Sequence, residues 1–282
     1  MKKILLIVCM IMASISYGQN ADMSLLTYNI RLDVSSDKEN AWTHRKGHLA
    51  NQLKFYEPSI FGVQEALPHQ VAYLKKELVN YKHIGIGRDG GDRGEYAALF
   101  YRSDRFDVVK SATFWLSLTP DVPSKSWDAA YPRICTYALF KDKKTGLKFW
   151  VFNTHLDHKG EKSRMHGIDL ILSKIAQENT DAFPVIFMGD LNAVADSQEI
   201  LKLNTSMLDG MKASVNAPFG PSGTFTGFRF DLPVTKRIDY IYVSKGNQIQ
   251  VLKYAVLSDL KDLKYPSDHL PVYIKISLHS IN

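Results

Sequence analysis

Cysteine is scarce in this sequence: Cys9 and Cys135 are the only two among 282 residues. Cys9 falls inside an N-terminal apolar stretch that reads as a transport address, so the rest of the chain keeps a single thiol. No intramolecular disulfide can then form, even in an oxidising compartment, and a hydrophobic core must hold the fold alone. Long apolar runs are also missing. Past residue 18 nothing approaches the ~20 residues that cross a bilayer, so stable membrane insertion is not expected after the address is removed. No run of lysine or arginine is long enough to make a nucleic-acid stripe. Repeats and low-complexity tracts are absent, which leaves one domain from about residue 20 to the end.

The N-terminal stretch has the order of a secretory signal. Lys2 and Lys3 precede the apolar run Ile4 to Ile15, and Ser16-Tyr17-Gly18 supplies small residues before Gln19. Cys9 lies too early in that run to be a lipoprotein acylation site. Residues 1–18 are therefore expected to be a signal peptide, 20–282 the domain, and the mature protein exported, periplasmic or secreted. Loss of the two lysines lowers the formal charge from +6 to +4. A solvated surface explains that mild excess as well as an anionic ligand does. The roughly 260 residues that remain suffice to bury about 70–75% of the unfolded surface.

Short β-branched or apolar runs alternate with amphipathic stretches, the pattern of sheets covered by helices. Strands are expected at Met23–Arg31, Ser59–Gln64, Tyr96–Arg102, Phe106–Trp115, Ile134–Lys141, Lys148–Thr154, Pro184–Met188, Arg237–Val243, Ile249–Val256 and Val272–Leu278. The Lys143-Lys144-Thr145-Gly146 turn makes the pair around it an antiparallel hairpin. Helices are expected at 42–56, with Trp42, Leu49, Leu53 and Phe55 at helical spacing and Pro58 after the end, at Val71–Leu78, and at Gly160–Glu178. In the last, Met165, Ile168, Leu172, Ile175 and Ala176 share a face. Such mixed connections favour two sheets packed face to face with helices outside, although periodicity alone leaves a single mixed sheet open.

The polar residues fall at strand ends. Tyr28-Asn29-Ile30-Arg31 closes the first strand and Gln64-Glu65 the second, while Asn153-Thr154-His155-Leu156-Asp157-His158 closes the hairpin. Gly189-Asp190-Leu191-Asn192 follows an apolar run, Arg237-Ile238-Asp239-Tyr240 opens a strand, and Ser267-Asp268-His269 precedes the last. Strand ends and the loops after them form the rims where sites are built. Each cluster alone has a bland explanation: an Asx turn for Asp190, a helix cap for Glu65, a satisfied core histidine for His155 or His269. Together they form the inventory of metal-assisted phosphoryl transfer. Carboxylates such as Glu65 and Asp268 suit Mg²⁺, with Mn²⁺ as a substitute. Amides such as Asn29 or Asn192 orient phosphate oxygens without adding charge, and a histidine paired with a carboxylate moves protons.

In motif order the chain resembles the endonuclease/exonuclease/phosphatase superfamily. The Gln-Glu, Gly-Asp-x-Asn and Ser-Asp-His elements carry the likeness over nearly the whole mature chain. The resemblance implies a deoxyribonuclease I-like, four-layer α/β sandwich of two packed mixed sheets with helices outside. It also implies a role for each site residue. Glu65 would be the main metal ligand, with Asn29 beside it and Asp268 on the metal or orienting the site. His269 would be the catalytic histidine polarised by Asp239, Asp190 would position or deprotonate the attacking water, and Asn192 would donate to a phosphate oxygen. His155 matches a second histidine, with Glu95 in the place of its carboxylate partner; the neighbouring Tyr96 is the competing candidate, as a phosphate-contacting tyrosine. Arg31 and Arg133 are candidates for substrate phosphate contacts, with an edge-strand flank as the equal alternative for Arg133.

Trp42-Thr43-His44-Arg45-Lys46, followed by Pro58 and Gln64-Glu65, is most similar to the nocturnin and deadenylase branch, although an amphipathic helix with an aromatic anchor explains Trp42 as well. The expected partner is a phosphoester, with nucleic acid and nucleotides ahead of a lipid or sugar-phosphate diester. The penultimate motif reads Lys236-Arg237-Ile238-Asp239 and lacks the Cys-Asp-Arg of inositol polyphosphate phosphatases. Phe225, Phe228 and Phe230 read more simply as packed core than as a lipid-reaching hairpin. A monomer is expected. A non-catalytic binding module of the same fold would show decayed motifs, and none is decayed.

Overall fold

Alternation along the first strand sets the architecture. In β1 (Asn20–Asn29) Met23 and Leu25 face one way, while Leu26 and Tyr28 face the other. Both sides are buried, so the strand is an inner layer covered twice. The computed structural model describes residues 20–279. The expected signal at 1–18 and residues 280–282 lie outside that range.

After β1 come α1 (Trp42–Tyr56), β2 (Ile60–Gln64), α2 (Pro68–Glu77), β3 (Tyr81–Ile84), β4 (Leu99–Arg102), β5 (Phe106–Trp115), β6 (Ile134–Asp142) and β7 (Lys148–His155). Then follow α3 (Glu161–Glu178), β8 (Val185–Asp190), α4 (Gln198–Ser206), β9 (Met207–Asp209), α5 (Gly210–Ala213), β10 (Asp239–Ser244), β11 (Ile249–Val256) and β12 (Val272–His279). The strands form two six-stranded sheets, ordered β11-β12-β1-β2-β4-β3 and β5-β6-β7-β8-β10-β9. Each sheet has one parallel pair, β1 with β2 and β7 with β8. A parallel pair needs a crossover, which α1 supplies in one sheet and α3 in the other. Three apolar layers result, between the sheets and under each helical face. This is the four-layer mixed sandwich, with two sheets rather than one.

The period of two then carries the inter-sheet face to its polar end. On β1 the face runs Met23, Leu25, Thr27, Asn29; on β2 Ile60, Gly62, Gln64; on β7 Phe149, Val151, Asn153, His155; on β8 Ile186, Met188, Asp190. The apolar interior thus gives way at one mouth of the sandwich to buried amides, carboxylates and imidazole. Gln64 and Asn153 tie the sheets together there: Gln64 Nε2 donates to Asn153 Oδ1 (2.7 Å), and Asn153 Nδ2 donates to Val63 O and Ala98 O (3.1 and 3.0 Å). Gly62 makes room for this, because a Cβ there would fall 2.5 Å from Asn153 Oδ1.

Several expectations shift. Strand β4 begins at Leu99, not Tyr96, and Tyr96 makes only isolated bridges to Ala66 and Gly87. Phe55 is 81% exposed, and the inner face of α1 runs instead through Trp42, Arg45, Leu49 and Leu53. The buried face of α3 is rotated towards Arg164, Gly167, Ile168 and Ile171, leaving Ala176 exposed. The rotation follows from Arg164, which turns inward to pair with Glu199 of α4 at 2.8 Å. Phe225, Phe228 and Phe230 are not core: the first two are half-buried and Phe230 is 48% exposed.

Candidate active site

Register aligns the site. His155 of β7 lies across from Asp190 of β8, and Asp190 lies across from Asp239 of β10. In the other sheet Asn29 lies across from Gln64, one residue before Glu65. The Ser267-Asp268-His269 loop enters between the sheets and is fixed by Ser267 Oγ donating to Asn29 O (2.7 Å).

Three sharp turns place the remaining groups. Arg31, Glu65 and Asn192 are non-glycine residues in the left-handed region, with φ of 56°, 61° and 48°. Each such residue costs about 1–2 kcal/mol, and clusters of them mark sites where surrounding contacts fix the backbone. At Asn192 the strain is held by Asp190 Oδ1, which accepts the Asn192 N–H (2.9 Å). The simple Asx turn is therefore real, but it uses only one oxygen. Asp190 Oδ2 accepts from Asn29 Nδ2 (2.9 Å) and lies 3.4 Å from His155 Nε2 and 3.8 Å from His269 Nε2.

Electrostatics separate the two histidines. Burial alone would lower His269, but the Asp239 and Asp190 carboxylates and a 2.9 Å bond between Nδ1 and Asp239 Oδ2 hold its pKa above the usual value. His155 moves the other way: burial, then the positive charges of Arg133, His269 and Arg88, keep it neutral. Asp190 is raised by burial and by the neighbouring Asp239 charge. One imidazolium thus sits between two buried carboxylates, beside a neutral imidazole.

Glu65 and Asp268 both line the cleft. Glu65 Oε1 accepts from Asn29 Nδ2 (3.0 Å) and Oε2 from Leu32 N (3.1 Å). Burial raises the Asp268 carboxyl, and the Glu65 charge adds to that. Arg31 approaches both, at 3.8 and 3.9 Å, yet its fork is committed to Asp37 at 2.9 Å. Two partly compensated carboxylates with hard oxygen donors suit a divalent cation that keeps several waters. Asp190, Asp239 and His269 also bring ligand atoms within 4.8 Å of one another. Their atoms, however, are joined as a hydrogen-bonded His–Asp pair with Asp190 beyond it, an arrangement for proton transfer.

The model of the endonuclease/exonuclease/phosphatase family matches residues 26–269, nearly all of the described chain. The chain belongs to the endonuclease/exonuclease/phosphatase family. That places it in a class of phosphoesterase and nuclease hydrolases. The family member is 36% identical to a solved mannosyl-6-phosphatase of Bacteroides thetaiotaomicron, covering 90% of this chain and 99% of that one with a TM-score of 0.85. It is 25% identical to the tyrosyl-DNA phosphodiesterase 2 of Bos taurus, over 91% of this chain and 68% of that protein. Other curated relatives are matched over less of their length, 59% in one and 42–44% in several. The human nocturnin catalytic domain, at 20% identity and a TM-score of 0.73, shares the fold.

Glu65, His155, Asp190, Asp268 and His269 line one cleft together with Arg31, Glu95, Arg133 and Asn192, and four of the expected residues are engaged otherwise than their expected roles require. Glu95 is held by Arg88 (2.7 Å), and among the described residues no hydrogen bond joins it to His155. Tyr96 is buried in the layer beneath the helices, and its hydroxyl donates to Asp92 (2.9 Å), so it does not reach the cleft as a phosphate contact. Asn192 spends its amide hydrogens on His155 Nε2 (3.0 Å) and Leu156 O (3.1 Å), which orients the imidazole instead of offering a free donor to phosphate. Arg31 is tied to Asp37, as above. Arg133 lines the cleft, bonded to Asp157 (3.3 Å) and His158 (3.1 Å).

The cleft itself, about 460 Å³, is also walled by Arg88, Tyr131, Phe225 and Lys236, none of them among the expected site residues. Arg88 stacks over Tyr131 (4.8 Å), which stacks on His158. Phe225 meets the His269 ring edge-on, with the Lys236 ammonium 5.2 Å from the Phe225 ring. Lys236 was legible as the residue before the Arg-Ile-Asp-Tyr motif. Arg88 lies in a glycine-rich loop with no periodicity to mark it.

Proposed function

We propose that this chain is a divalent-metal-dependent phosphoester hydrolase. The observation that supports it is the gathering of Asn29, Glu65, His155, Asp190, Asp239, Asp268 and His269 from both sheets at one mouth. Glu65 and Asp268, with Asn29 beside them, would hold Mg²⁺ or Mn²⁺; when bound, such an ion neutralises phosphoryl oxygens and the leaving oxygen. Asp190 Oδ2 is the acceptor placed for a proton of the attacking water, and its raised pKa suits that task. As oxygen attacks phosphorus, the bond to the leaving oxygen breaks. His269, fixed at Nδ1 by Asp239, presents Nε2 to the charge that develops, with neutral His155 held beside it by Asn192.

For substrate, the walls favour a small phosphoester, with a sugar phosphate first and a nucleotide or nucleic acid second. The arginines of the cleft each have a carboxylate partner: Arg31 with Asp37, Arg88 with Glu95, Arg133 with Asp157. Among the described lining residues Lys236 alone of the lysines and arginines lacks one. A polyanionic strand needs a track of free cations, and this cleft supplies little of one. The likeness to the mannosyl-6-phosphatase points the same way, while the tyrosyl-DNA phosphodiesterase relatives support the second reading. We propose further that the chain acts as a monomer, exported on residues 1–18; sequencing the N-terminus of secreted protein should give Gln19.

Assaying hexose 6-phosphates, nucleoside monophosphates, bis-p-nitrophenyl phosphate and single-stranded DNA with Mg²⁺ tests both levels. The sugar phosphate should show the highest kcat/KM, and EDTA should abolish turnover. His269→Ala should lower the rate on the order of 10²–10⁴-fold. Preference for DNA would overturn the substrate class; EDTA-resistant turnover, or full activity in His269→Ala, would overturn the reaction.

A further inference from the structure

Arg45 lies on α1, outside the cleft that holds the reacting groups, and is 4% exposed. A buried guanidinium ordinarily requires a carboxylate, and among the described residues Arg45 has no salt bridge. Its five N–H donors go instead to five backbone carbonyls. Nε donates to Asn40 O (2.9 Å), Nη1 to Ile30 O (2.5 Å) and Pro266 O (3.2 Å), and Nη2 to Arg31 O (2.6 Å) and Leu32 O (3.4 Å). The rings of Trp42 and Phe228 lie 5.1 and 5.9 Å from the guanidinium carbon.

These partners belong to the loops that carry the floor of the site. Three successive carbonyls, at 30, 31 and 32, turn towards one cation, which requires the left-handed backbone at Arg31. That same turn directs Leu32 N onto Glu65 Oε2 and Arg31 N onto Asn29 Oδ1 (3.0 Å). Pro266 immediately precedes Ser267-Asp268-His269. Asp268 O in turn accepts the N–H groups of Thr226 and Gly227 (2.8 and 3.1 Å), at the base of the loop bearing Phe228. One side chain therefore joins the segment that orients Glu65, the segment that carries Asp268 and, through the Phe228 ring, the loop hydrogen-bonded to Asp268.

We propose that Arg45 is a positioning residue that sets the spacing of the Glu65 and Asp268 carboxylates and so the affinity of the site for its divalent cation. The inference rests on the metal-dependent reading above. Lysine at this position keeps the charge but offers three donors from a single nitrogen, so it cannot span loops that lie on different edges of a guanidinium.

The test compares wild type with Arg45→Lys and Arg45→Gln. Mg²⁺ and Mn²⁺ are titrated into EDTA-stripped protein, with the rise in Tm and the hydrolysis of p-nitrophenyl phosphate both followed. Folded variants should need about 10–100-fold more metal for half their Tm rise and half their activity, with KM for substrate at saturating metal close to wild type. A folded variant with the wild-type metal midpoint overturns the proposal. Should both variants fail to fold, hydrogen exchange on wild type decides it. Metal should protect segments 30–32, 226–228 and 266–268 together, and protection confined to the last would overturn the coupling. A wild type that binds no metal refutes the metal-dependent reading itself.

Discussion

At the scale of single residues, the chemistry rests on an unequal sharing of charge among three buried groups. Asp239 Oδ2 accepts from His269 Nδ1 (2.9 Å), while its Oδ1 is buried without a hydrogen-bond partner among the described residues. Replacing Asp239 by Asn keeps the shape, removes the charge and permits the wrong tautomer of His269. Turnover should fall by about 10²–10⁴-fold with little change in KM, measured as initial rates at saturating Mg²⁺. The motif residues were legible singly because each carries an unusual functional group at a strand end. The choice between Glu95 and Tyr96 is not legible in the sequence for a physical reason: adjacent residues of an extended segment point to opposite sides, and here Glu95 lines the cleft while Tyr96 does not. Which of them meets the cleft depends on Arg88 and Asp92, whose placement no spacing reveals.

At the scale of elements, the loop between β7 and α3 is organised by Asp157. Its carboxylate accepts the N–H groups of Lys159, Gly160 and Ala130 at 3.0, 2.8 and 3.1 Å, and the Nε–H of Arg133. Although burial opposes ionisation, these donors and the Arg133 charge hold the carboxyl well below the usual range. A depressed folded-state pKa means that the unfolded chain binds the proton first as pH falls. The stabilisation is therefore complete above the unfolded value of about 4 and declines below it. Asp157→Ala should lose about 3 kcal/mol at pH 7, on the order of 10 °C in Tm, with the gap to wild type narrowing in melts taken below pH 4. Spacing and Pro58 give the helix at 42–56 its correct ends but not its burial. Arg45 and Gln52 face inward through partners remote in sequence, while Phe55 is left in solvent. β3 and β9, with four and three residues, are too short to show alternation.

At the scale of the whole molecule, two sheets meet along a seam that is apolar for most of its length and polar at one mouth. The Gln64–Asn153 clamp fixes their approach, and Gly62 permits it. Gly62→Ala should destabilise the fold by about 1–3 kcal/mol and lower activity by shifting β2, which ends beside Glu65; thermal melts and p-nitrophenyl phosphate turnover read the two effects. The two-sheet sandwich was legible in the alternation of strands with helices and in the motif order. The convergence was not, because it depends on register: His155, Asp190 and Asp239 come abreast only once β7, β8 and β10 are paired. An anomalous-scattering map from crystals soaked in Mn²⁺ tests the central claim most directly. One strong peak is expected at the Glu65 and Asp268 carboxylates. A peak seated among Asp190, Asp239 and His269, or no peak at this mouth, would contradict it.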